Sequence, residues 1–193
     1  MRLAILDQGH AWSTKVLFAF IRLVSRQPTP EPLKLVAYRP GFYGSFMKRI
    51  THEAMRGPSA WSVGERELMA AVVSKANASE YCIRAHTAVS TRALGSGEQV
   101  SAALDDLDTA PLTEPLRATL RLLRTLARER SVSADDMRAV LAAGASRAQI
   151  VDALAVAFAF GATNRLADAF GFAMPGAEEL EAGAKYLLAR GYK

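Results

Sequence analysis

The sequence predicts an all-α fold, and three observations carry that prediction. Apolar residues recur at a period near 3.6, as in Val16, Phe20 and Leu23 with Leu17, Ile21 and Val24. No run alternates with period 2 for long enough to argue a sheet. Helix start and stop signals punctuate the chain at ordinary helix lengths. With 193 residues, 50% of them hydrophobic and 22% charged, the chain suits one domain with a sizeable core, and disorder is excluded.

The elements follow in order. The first stripe, from Val16 to Val24, stops at the breaker Gln27-Pro28-Thr29-Pro30. A short segment from Pro32 to Tyr38 runs into Pro40-Gly41. An aromatic stretch, Phe42, Tyr43 and Phe46, continues as a helix to about Arg56, before Gly57-Pro58. Ser62-Val-Gly-Glu65 reads as a capping box for a helix reaching about Ala76. Ser79 can cap the next helix, which Gly95 ends. Thr113-Glu114-Pro115 starts a helix to about Arg130. Ser133 caps a shorter helix ending near Gly144, and Ser146-Arg-Ala-Gln149 opens a long one to about Phe170. Ala177 to Arg190 reads as a C-terminal helix. The expectation is one domain over 1–193: a helical extension over 1–55, a core over 56–175 and a C-terminal helix over 176–193. Trp12, Phe18, Phe20, Phe42, Tyr43 and Phe46 read as core or interface aromatics, with Phe42 and Tyr43 placed to line a pocket.

Composition narrows the function classes. One cysteine excludes an intrachain disulfide and a Cys-rich zinc site, and points to a reducing compartment. Against 19 acidic residues stand 24 basic ones, a net +5 that permits an acidic partner without demanding one. The N-terminal stretch is interrupted by Asp7, Gln8, His10 and Lys15, so no signal-peptide apolar region forms. The most apolar run, Ala153 to Thr163, is 11 residues, where a span needs about 20. A cytoplasmic protein without a membrane partner is expected. His52-Glu53 is followed by Arg56 where a zinc-binding H-E-x-x-H needs its second histidine, and nucleotide-binding glycine loops are absent. No metal and no cofactor are expected. Arg117, Arg121, Arg124 and Arg128 form a basic stripe opposite Leu116, Leu120 and Leu123. With no aromatic residues interleaved, it reads as a solvated or ion-paired face, so no nucleic-acid partner is expected.

The chemistry concentrates between Glu65 and Gly95. Cys82 and His86 are four apart on one predicted helix and share a face. With Ser79 as N-cap, Cys82 is the third helical residue, where exposed N–H groups and the helix dipole favour a thiolate. The imidazole can relay the thiol proton, and Glu67 on the preceding helix can orient the ring. The same residues also fit a plain core: free cysteine is among the most buried types, and a histidine at helical spacing arises by chance.

The pattern nevertheless resembles the core motif of the carboxymuconolactone decarboxylase and alkylhydroperoxidase D family. That motif has a glutamate, a C-x-x-C pair at a helix start, and a histidine four residues after the second cysteine. Glu67, Cys82 and His86 match it, within Glu-Tyr-Cys82-Ile-Arg-Ala-His86. A second stretch, Asn164-Arg165-Leu-Ala-Asp168-Ala-Phe-Gly171, is similar to another helix of the family, and the likeness spans roughly residues 35–175. The resemblance implies an alkylhydroperoxidase D-like helical bundle, a homo-oligomer built on trimers or dimers, and a peroxidase-type antioxidant activity. It casts Cys82 as nucleophile, His86 as proton relay and Glu67 as its partner. The sequence departs from the family where the first cysteine belongs, which is Ser79 here. Serine cannot resolve an oxidised Cys82 by forming a disulfide, so the cycle would need an outside thiol. Tyr81 stands where some members carry a histidine, and with Ser79 it can shape the site.

A second reading follows the decarboxylase branch, whose members act on small lactone carboxylates without a cysteine pair. There His86 and Glu67 transfer protons, and Arg84 or Arg165 holds the substrate carboxylate. A third reading is a non-enzymatic oligomeric member of the family.

Overall fold

Side-chain capping sets where several helices begin, and glycines set where others end. In a computed structural model, which describes residues 1–192, the chain forms α1 (Ile5–Gln8), α2 (Trp12–Ser25), α3 (Glu31–Tyr38), a π-helical turn (Pro40–Gly44), α4 (Ser45–Arg56), α5 (Val63–Ala76), α6 (Glu80–Leu94), α7 (Gly97–Asp105), α8 (Glu114–Glu129), α9 (Ala134–Ala142), α10 (Arg147–Phe170) and α11 (Ala177–Arg190). No strand occurs among the described residues. Ser62 with Glu65, Ser133 with Asp136, and Ser146 with Gln149 form reciprocal capping boxes at the starts of α5, α9 and α10. Gly95 and Gly171 take left-handed backbone at the ends of α6 and α10.

The core is organised around α5, which buries ten of its 14 residues. A helix apolar on most of its circumference belongs in the middle of a bundle. α6, α8 and α10 pack around α5, and α11 lies across α6. Gly64 permits the close α5–α6 contact: a Cβ there would sit 2.6 Å from a methyl carbon of Leu94. The Ser90 hydroxyl donates to the Gly64 carbonyl at 3.0 Å and fixes the register of the pair. Glu67 follows Gly64 by three residues and His86 precedes Ser90 by four, so this contact brings the two site residues onto facing turns. Ser74 and Asn164 join α5 to α10 through a buried hydrogen bond of 3.1 Å.

Several expectations change in the folded chain. α4 is part of the core, since Ala54 and Met55 belong to the main apolar cluster. The boundary at residue 55 therefore cuts through a core helix. The first stripe forms α2 as expected, yet α2 has no buried residue. Trp12 is 81% exposed, and Phe20, Leu23, Val24, Phe42 and Phe46 are also exposed, so these apolar side chains are not core within one chain. Periodicity identifies an apolar face but not what covers it. α7 follows the helix stop at Gly95 directly and is capped by Ser96. α10 has 24 residues and is apolar enough to pass for a membrane span, but Val156, Ala159 and Phe160 place it in the core. Two cations of the basic stripe are structural: Arg117 pairs with Glu114 and donates to the Leu107 carbonyl, and Arg121 pairs with Asp108.

Candidate active site

Glu67 is fully buried and is the hub of the site. One carboxylate oxygen, Oε2, accepts a 2.7 Å hydrogen bond from His86 Nδ1. The other, Oε1, accepts from Arg56 Nη2 at 2.7 Å. The Tyr192 hydroxyl donates to the same carboxylate at 3.0 and 3.2 Å, and the Arg56 guanidinium lies over the Tyr192 ring at 5.1 Å. A buried carboxylate with three partners has its lone pairs well satisfied. Burial alone would raise the Glu67 carboxyl, but His86 and Arg56 outweigh it and hold it below the ordinary carboxylate value. Burial, with the adjacent Glu67 charge, pushes the Tyr192 phenol well up, so it acts as a fixed donor. Phe160 packs its ring against His86, with centroids 4.3 Å apart. With Nδ1 engaged by Glu67, Nε2 is the ring nitrogen left for another partner.

Cys82 sits one turn before His86 on α6, in a separate apolar cluster. Leu6 of α1, Leu35 of α3, Ala167 of α10 and Phe172 just after it bury the thiol, with Tyr38, Tyr43 and Tyr81 around them. Burial pushes the Cys82 thiol up to about 11; the Ser79 hydroxyl beside it lowers the value and the Asp168 charge raises it. The helix start therefore does not make a low-pKa thiolate here, because desolvation outweighs it. No hydrogen bond joins Cys82 to His86 among the described residues. Ser79 occupies the N-cap position, but its side chain makes no cap. Its hydroxyl donates instead to Asp168 Oδ1 at 2.9 Å. Tyr81 packs edge-on against Phe172 and its phenol is pushed up by burial. Arg84 is exposed and paired with Glu80 at 2.8 Å, away from the Glu67 cluster.

A consequence of the buried thiol is measurable. The alkylation rate of Cys82 should keep climbing until about pH 11, where an ordinary thiol levels off near ~8.5. Folding stability should fall as pH rises from ~8.5, because the native thiol keeps a proton that the unfolded one releases. A rate plateau near neutral pH would contradict this account of the thiol.

Two members of the site, Arg56 and Tyr192, were not read from the sequence. The stop signal Arg56-Gly57-Pro58 marks a helix end without showing what the arginine meets. Tyr192 lies 125 residues from Glu67 along the chain, and no local pattern announces it. Among the described residues no group of three or more His, Cys, Asp or Glu is arranged to hold a metal.

Residues 43–125, which include Arg56, Glu67, Cys82 and His86, match the family model for the Carboxymuconolactone decarboxylase family. The matched segment runs from the π-helical turn through α4, α5, α6 and α7 into α8. Among solved structures, an uncharacterized peroxidase-related protein from Silicibacter sp. TM1040 is 27% identical, with a TM-score of 0.74 over 87% of both chains. An uncharacterized peroxidase-related protein with an alkylhydroperoxidase AhpD core, from Ralstonia eutropha JMP134, is 19% identical (TM-score 0.75; 91% of this chain and 92% of that one). The debrominase Bmp8 is 16% identical (TM-score 0.66; 90% and 92%). The last two share the fold. No curated protein sequence matches the chain. The carboxymuconolactone decarboxylase family segment begins at residue 43, which agrees with α4 belonging to the core. Tyr192, at the far end of the site, lies outside it.

Proposed function

We propose that the protein is a peroxidase-type oxidoreductase in which Cys82 is the reacting sulfur and the Glu67–His86 pair is the proton acceptor. The observation that carries this reading is the fixed imidazole. His86 stands one turn after Cys82, and its Nδ1 is held by a buried, ionised Glu67. Likeness to a peroxidase-related protein at 27% identity supports it.

In the reaction, His86 takes the thiol proton and the sulfur attacks one oxygen of a hydroperoxide. The O–O bond breaks, the sulfur loses two electrons to become a sulfenic acid, and the leaving alkoxide takes up the proton as an alcohol. Ser79 cannot complete an internal disulfide. A first external thiol condenses with the sulfenic acid and releases water, and a second restores Cys82 by thiol–disulfide exchange. The substrate is a small hydroperoxide, and the partners are a thiol reductant and further copies of the chain. The exposed apolar face of α2 and the exposed Val151 and Phe158 of α10 suit contacts between copies. A lone free cysteine fits a reducing, cytoplasmic compartment.

Mass spectrometry of Cys82 after one equivalent of an alkyl hydroperoxide tests the reading. The expected result is a sulfenic acid that added thiol removes, with slower formation in His86→Ala. Ser79→Cys is expected to give a 79–82 disulfide and turnover with a dithiol. A Cys82 that stays unmodified in excess peroxide would sink the proposal. The raised thiol favours one rival, acid–base chemistry by Glu67 and His86 on a small carboxylate, as in a decarboxylase or isomerase. In that case Cys82→Ser keeps activity and His86→Ala loses it.

A further inference from the structure

A cleft of about 790 Å³ lies on the other side of α3 from Cys82. While Leu35 of α3 faces the thiol cluster, Leu33, Val36 and Ala37 line the cleft. Pro40 and Pro58 extend this apolar wall. Opposite it, Lys48, His52 and Arg56 recur at intervals of four along α4, so they share one face, and Arg49 adds a further cation. Glu53 is the one carboxylate in the lining. Arg56 answers to Glu67, while Lys48 and Arg49 enter no ion pair among the described residues.

Arg56 connects this cleft to the site. Its side chain is only 10% exposed. Nη2 is committed to Glu67 and to the Leu187 carbonyl, and Nη1 to the Met55 carbonyl. Nε is buried and has no hydrogen-bond partner. A buried guanidinium nitrogen without an acceptor is costly, and an anion is the natural group to satisfy it.

The geometry points to a binding site for an apolar-tailed carboxylate. We infer that its tail lies along Leu33, Val36 and Pro58 and its head is held by Lys48, Arg49 and Arg56. Neither end suffices alone: the apolar wall does not orient a head group, and the exposed cations hold a small anion weakly. Because the head shares Arg56 with Glu67, its binding would be felt at His86. The inference does not depend on the peroxide reading, since α3 separates the cleft from the thiol.

Isothermal titration of the full chain with decanoate, below its micellar concentration, tests the site. Decanoate is expected to bind saturably with one site per chain, and decanol and acetate at least about tenfold more weakly. Lys48→Gln/Arg49→Gln should weaken decanoate about tenfold and leave the melting temperature unchanged. The exposed face of α2 provides the control: Phe20→Ser/Leu23→Ser should leave binding intact. By NMR, decanoate should move the Arg56 Nε–H resonance, assigned by its loss in Arg56→Lys. No saturable binding, equal binding of decanol, indifference to Lys48→Gln/Arg49→Gln, or loss of binding in the α2 variant would each overturn the inference.

Discussion

Glu67→Ala is expected to destabilise the protein by about 3–5 kcal/mol, because removing one partner strands a buried charge. Arg56 loses its carboxylate at 2.7 Å, and His86 and Tyr192 lose the acceptor that holds them. For a chain of this size the loss reads as a fall in melting temperature of roughly 10 °C or more. Glu67→Gln keeps the shape and some hydrogen bonds, so its cost should be smaller. The pH dependence has a definite sign. The native Glu67 carboxyl is lowered, so its contribution is complete above the unfolded value of ~4.3. It is lost as pH falls through the native value. Thermal unfolding of wild type and Glu67→Gln, followed by circular dichroism, should show a gap at pH 7 that closes in acid. A gap unchanged in acid would mean that Glu67 is not held as a carboxylate.

Phe160→Ala should cost a comparable amount, about 3–5 kcal/mol, and for a different reason. Phe160 is the largest of the fully buried side chains, and its removal leaves a cavity in the main cluster. It also removes the wall against which the His86 ring rests. Urea unfolding should show the midpoint fall, with Phe160→Leu recovering most of it. Trp12→Ala offers the contrast, since that ring is 81% exposed and should change stability by no more than about 0.5 kcal/mol. A cost for Trp12→Ala matching that of Phe160→Ala would show that α2 is covered in solution.

Features that depend on near neighbours were legible in the sequence. Ser62 with Glu65 and Ser146 with Gln149 each specify a helix start within four residues, and both boxes form. The pairing of Glu67 with His86 follows from their places on consecutive helices, matches the family likeness, and needs only two adjacent helices in register. Features that depend on distant chain were not legible. Arg56 and Tyr192 meet Glu67 only after α4 and the segment following α11 have packed. Ser79 misled for the same reason: its hydroxyl had a local use as a cap, and Asp168, 89 residues away, took it instead. The thiol followed suit. Its place near a helix start argued for ionisation, and the covering side chains of α1 and α3 reversed the sign.

That cover comes from a part of the chain quite unlike the scaffold beneath it. Before Ala54, the only buried hydrophobic residues are Leu6 and Leu35, and both lie on Cys82. The segment holding them has little apolar burial of its own, so it opens at a lower free energy than the α5-centred bundle. A reagent that reaches the sulfur then reports the product of an opening equilibrium and an intrinsic rate. How readily a reagent reaches the thiol becomes a property of how tightly the first forty residues are fastened. Substitutions at that fastening, far from any reacting atom, would tune the rate at which the thiol meets its surroundings.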